Sequence, residues 1–180
     1  MDREREQLWY SAAWLARWRD GITDAVRSMT ASFEETHGRA PGGNEVRAAG
    51  AEDLRAARDY DREPVRCDGM VTFYESVAEV ALPDVGNGFF MPPAGECLRR
   101  FREEGPVFVP SADDPFGLVI ASNGDGLFYV ADWGGVVHRS RSSSLDDEDF
   151  DKYADSVPEF LSHVRRHVTA FARTGAAGDL

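Results

Sequence analysis

The sequence predicts an α+β domain, an antiparallel or mixed sheet meander packed with helices and preceded by an N-terminal helical arm. Three patterns carry that expectation. Apolar residues recur at helical spacing from residue 3 to about residue 36; three β-rich runs separated by turns fill the middle; a capped amphipathic helix closes the chain. Helices, then a meander, then a helix is the order of an α+β fold rather than of alternating βαβ units.

The elements follow in order. Leu8, Ala12, Leu15, Ile22, Met29 and Phe33 fall at three-, four- and seven-residue steps, and Trp9, Trp14 and Trp18 widen that stripe. "HGRAPGGNE" breaks the helix, and Asn44 is placed to cap a second, peripheral helix reaching about Tyr60. Met70, Phe73, Tyr74 and Val77 mark another helix over residues 67 to 79. "VALPDVGNGFFMPPA" then loses the helical period, and "GPVFVPS", with prolines near both ends, reads as an edge strand. "FGLVIAS", "LFYVAD" and "GVVHRS" are joined by "NGDG" and "WGG", the signature of a meander. "SSSLDDEDFD" reads as a polar connection. Ser156 and Glu159 have capping-box spacing, Pro158 sits in the tolerated first turn, and Phe160, Leu161, Val164, Val168 and Phe171 form the buried face of a helix to about Arg173.

A chain of 180 residues suffices for one compact domain that buries roughly 70% of its unfolded surface. Within it, residues 1–62 read as the helical arm, 63–174 as the α+β core and 175–180 as a disordered tail. No apolar run approaches the ~18 residues of a membrane span, and "MDREREQLWY" leads into no signal-peptide core, so the expected location is cytoplasmic. Cys67 and Cys97 form no CxxC pattern, and they read as buried or idle thiols. The formal charge of −12 argues against nucleic acid as a partner. Residues 67 to 180 hold nine basic and nineteen acidic side chains, a field that steers basic partners toward this part of the chain.

No motif assembles a catalytic, cofactor or metal site. "ASNGDGLFYVAD" puts Asn123, Asp125, Gly126 and Asp132 at positions three, five, six and twelve of a calcium-type loop. However, Ala121 occupies the first ligand position, and the flanks are β-branched and aromatic rather than helical, so a hairpin turn is the better reading. Glu159, His163 and His167 share a helix face but lack the HExxH glutamate, and Arg165 and Arg166 oppose a cation. His138 stands at a strand end without an evident partner, and there is no GxSxG, P-loop or dinucleotide fingerprint. The candidate partner-binding residues are Trp133, in a turn where a small polar residue would suffice, and the acidic run Asp146, Asp147, Glu148, Asp149 and Asp151. A solvated loop and a ring packed back on the sheet are the plain readings. An interface anchor beside a charge-complementary surface is the functional one.

"FYESVAEVALPDVGNGFFMPP", "PFGLVIASNGDGLFYVADWGGVVHRS" and "YADSVPEFLSHV" resemble, in order and texture, the SUKH superfamily of Smi/Knr-like proteins, over residues 66 to 170. The resemblance implies a non-enzymatic binding module. Its bacterial form is an immunity protein that binds and neutralises a cognate polymorphic toxin, a nuclease among the candidates; the alternative is a regulatory or scaffold protein without a toxin target. The implied partner is a cognate toxin or another basic protein, and the tryptophan-rich first helix offers a route to a homodimer.

Overall fold

In a computed structural model, residues 10–64, 66–176, 178 and 180 are described. Helix α1 spans Ala12–Thr30, and the hydroxyl oxygen of Ser11 caps it by accepting from the Trp14 amide at 3.3 Å. The start expected at residue 3, with Leu8 and Trp9, lies outside the described residues. Leu15, Trp18, Ile22 and Val26 recur at three and four, so one face of α1 is buried. A short α2, Phe33–His37, ends at Gly38, whose φ of 68° is the left-handed conformation of a helix C-terminus.

The next stretch departs from expectation. Glu45–Ala48 is a strand, β1, and not the start of a helix capped by Asn44. Asn44 is engaged elsewhere: its Nδ2 donates to Asp84 Oδ2 at 2.7 Å and its Oδ1 accepts from the Asp84 amide at 3.1 Å. Helix α3 begins only at Ala51 and runs to Asp61, with the Asp53 carboxylate accepting from the Gly50 amide. Helix α4, Asp68–Tyr74, buries Met70, Phe73 and Tyr74 as expected, but Val77 opens a strand, β2 (Val77–Leu82), instead of extending the helix. After β3 (Phe89–Met91) comes α5 (Ala94–Glu104), a helix the sequence reading did not assign.

Strands β4 (Val107–Phe108), β5 (Phe116–Asn123), β6 (Phe128–Asp132) and β7 (Val137–Ser140) form the expected edge strand and meander. The supposed polar connection contains a 3₁₀ turn, Leu145–Asp147, and a further strand, β8 (Phe150–Ala154). Helix α6, Val157–Thr174, starts at Ser156, whose hydroxyl accepts from the Glu159 amide. The strands lie in the order β1-β2-β3-β5-β6-β7-β8, with β4 also against β5, and every pairing is antiparallel. The fold class is α+β.

The expected arm shares the main core. Tyr10, Leu15, Trp18, Ile22, Val46 and Tyr60 belong to one cluster with the strands and α6. Trp18 is fully buried, and its Nε1 donates to the Leu161 carbonyl at 2.6 Å, tying α1 to α6. A smaller cluster of Val109, Val119, Val130 and Phe150 forms where side chains alternate to the other side of β5 and β6. Beyond α6, the Leu180 carbonyl oxygen accepts from Asn123 Nδ2 at 3.1 Å, so the tail meets the β5–β6 turn.

Candidate protein-binding groove

The β5–β6 turn settles how its oxygens are used. Asn123 Oδ1 accepts from the amides of Asp125 and Leu127, which closes the turn, and Gly126 takes a φ of 82°. The Asp125 carboxylate accepts from Asn87 Nδ2 at 2.9 and 3.0 Å. These are hairpin contacts. Asn123 itself is buried.

His138 does have a partner. Its Nε2 donates to Asp132 Oδ2 at 3.0 Å, and both residues are buried. The β6–β7 hairpin creates the pair: Asp132 ends β6, its Oδ1 accepts from the Val136 amide, and the next turn of strand returns His138 to it. The nearby Ser140 hydroxyl accepts from the Phe128 amide and donates to the Ser142 carbonyl. The pair therefore locks a turn. Glu159 and His163 stand 3.7 Å apart on α6, with the His163 ring edge-on to Tyr153. Among the described residues no cluster of three His, Cys, Asp or Glu side chains could hold a metal ion. Cys67 and Cys97 are free, buried thiols, and burial pushes them up to about 12 and about 11.

The acidic run divides. Asp151 receives a bidentate contact from Arg141 at 2.8 Å, and Asp149 lies 3.7 Å from the same guanidinium. Arg141 holds the Asp151 carboxyl below its usual range through that hydrogen bond. Asp147 accepts from the Ser142 hydroxyl at 2.5 Å. Asp146 and Glu148 are left with no ion pair among the described residues, and they rim a groove. That groove encloses about 230 Å³ and runs between the C-terminal end of α5, β4 and the 3₁₀ turn. Its apolar lining is Phe101, Val107, Phe108, Leu118, Val119 and Leu145, and Arg100, Glu104, Asp146 and Glu148 surround it.

Two exposed rings flank the groove. Phe108 and Phe116 face each other across the β4–β5 pairing with centroids 5.5 Å apart, and each keeps 40% or more of its surface in solvent. Side by side, the two rings form a small apolar patch in solvent next to the groove. Trp133 is half-buried, its ring meets that of Phe101 edge-on at 6.1 Å, and it lines a cavity with Gly69, Val136 and Pro158 rather than this groove. The structure thus sets Asp146 and Glu148 at this groove, leaves Trp133 at a separate cavity beside the β6–β7 turn, and turns Asp147, Asp149 and Asp151 to partners within the chain. Sequence reasoning missed Phe108, Phe116 and the α5 residues. The signal available for α5 was the pair of i,i+4 matches, Arg99 with Glu103 and Arg100 with Glu104, both formed in the structure.

Among the described residues no helix is long and apolar enough to cross a membrane. Compared with known proteins, the chain matches no protein-family model and no curated protein.

Proposed function

We propose that this chain is a non-enzymatic, cytoplasmic protein-binding module of the SUKH type. It acts as an immunity protein, binding and neutralising a cognate polymorphic toxin, with a nuclease the candidate class. The family reading rests on the residue patterns quoted above. The single structural observation that supports a binding role is the exposed Phe108–Phe116 pair beside a groove rimmed by Asp146 and Glu148, which have no ion pair among the described residues. Aromatic anchors inside a charged rim are the arrangement that concentrates binding energy while charge governs encounter and partner choice. A nuclease must present a basic channel to its substrate, so an acidic, ring-bearing surface is complementary to it.

The scaffold alternative has no comparable support. The apolar face of α1 that suggested a homodimer is packed inside the chain, with Trp18 fully buried and bonded to α6. The proposal expects a toxin to be encoded beside this chain's gene, and the test is coexpression with that neighbouring product. Wild-type chain is expected to restore growth, and Phe108→Asp together with Phe116→Asp to abolish protection while leaving the purified chain folded. Growth arrest in the presence of soluble wild-type chain would refute the immunity reading.

A further inference from the structure

Resting on the protein-binding reading above, we infer that the groove between α5 and the Leu145–Asp147 turn is a socket for one arginine side chain of the partner. Its volume, about 230 Å³, is below the roughly 300–1,000 Å³ of sites for drug-sized ligands and suits a single side chain. The lining has two chemical parts. Val107, Phe108 and Leu145 offer apolar surface to an aliphatic stem, and Asp146 and Glu148 offer carboxylates to its head.

The charges decide the sign of the occupant. Arg100 lines the groove, but its Nε is 2.9 Å from Glu104 Oε2 and its guanidinium lies over the Phe128 ring at 5.0 Å, so it is already engaged. Arg141, the other cation near the turn, is held by Asp149 and Asp151. No cation of the described chain reaches Asp146 or Glu148. The C-terminal end of α5, closed by the Gly105 amide on the Phe101 carbonyl, adds the partial negative charge of a helix C-terminus. An anion is repelled from such a site, and a purely apolar group draws nothing from the two exposed carboxylates at its rim. An amphipathic cation satisfies both parts. Arginine fits better than lysine because its planar head can bridge two carboxylates and lie against the exposed Phe108 ring.

The test uses the full ¹⁵N-labelled chain and the tripeptide acetyl-Leu-Arg-Leu-amide as probe. Versions with lysine, citrulline or glutamate in place of the arginine are titrated in parallel. Saturable amide shifts are expected at Gly105 to Phe108 and at Leu145 to Glu148. They should weaken ~fivefold with citrulline, and by a similar factor in the double variant Asp146→Asn, Glu148→Gln, as expected for loss of partly exposed charge pairs. Added salt should reduce them. Equal shifts with citrulline, stronger binding of the lysine peptide, shifts centred elsewhere, no saturable shift, or indifference to the double variant would each overturn the assignment. The outcome is separable from the immunity test. Protection in cells with no peptide response removes the socket and leaves immunity on another surface; a peptide response without protection keeps the socket and removes immunity.

Discussion

Replacing Asp84 with asparagine tests whether one buried carboxylate anchors the loop that leads into β1. The Asp84 side chain is 2% exposed, and three donors converge on it. Arg39 Nη2 reaches Oδ1 at 2.8 Å, while the Gly42 amide and Asn44 Nδ2 reach Oδ2 at 2.5 and 2.7 Å. Burial alone would raise the pKa of this carboxyl, but the bonds from Asn44, Arg39 and Gly42 outweigh it and leave the value below the ordinary carboxylate range. An asparagine can keep its oxygen toward Gly42 and Asn44 but then turns an amide toward Arg39, which is 60% exposed and can move to water. Loss of charge assistance on two bonds costs about 1 kcal/mol each, and loss of the half-exposed ion pair adds about 0.5 kcal/mol. Asp84→Asn is therefore expected to lower stability by ~2–3 kcal/mol at pH 7. A carboxyl whose folded pKa is depressed contributes stability above its unfolded value, near ~4. That stability is lost as the pH falls through the folded value. The difference between wild type and variant should thus shrink below pH ~4, to within about 0.5 kcal/mol when both are uncharged. Urea unfolding at pH 7 and at successively lower pH reads this directly. A difference that is small at pH 7, or the same at every pH, would refute the reasoning.

Further outcomes follow from other contacts. Trp18→Phe removes the donor to the Leu161 carbonyl and opens a cavity between α1 and α6, and chemical denaturation should show a loss of ~2–3 kcal/mol. Gly117→Ala would place a Cβ 2.4 Å from the Ala131 carbonyl oxygen of β6, so it should cost more than ~3 kcal/mol or abolish soluble expression. Gly43→Ala, which meets open space, is its near-neutral control. Cys67 and Cys97, buried and with raised pKa values, should resist iodoacetamide in the native chain and react only at the rate of global unfolding, measured by mass spectrometry.

How much of this was legible follows the range of the forces involved. The meander and α6 were read from short-range chemistry: turn residues between β-branched runs, and a serine cap with its apolar stripe. Strand β1 was not, because "EVRA" has good helix formers and buries only Val46; its pairing with Val77 to Ala81 of β2 decides its conformation. Strand β8 was hidden behind the acidic run that precedes it, and α5 behind the prolines and the scarcity of large apolar residues in "AGECLRRFREE". The acidic run itself was evident. Which of its members face the groove was not, since that depends on the β7–β8 register, which sets Arg139 opposite Asp151 and joins the Arg141 amide to the Asp149 carbonyl. The groove draws on α5, β4, β5 and the 3₁₀ turn, segments brought together only by the sheet.

Titrating a purified candidate toxin, which the immunity proposal expects a neighbouring gene to encode, with this chain, and following residual toxin activity together with the mass of the complex, tests the central claim most directly. A stoichiometric binder should reduce activity linearly to zero at one equivalent, form a one-to-one complex, and lose both effects when Phe108 and Phe116 are changed to aspartate. Full inactivation by a small fraction of an equivalent, or an unaltered titration with the double aspartate variant, would contradict the account.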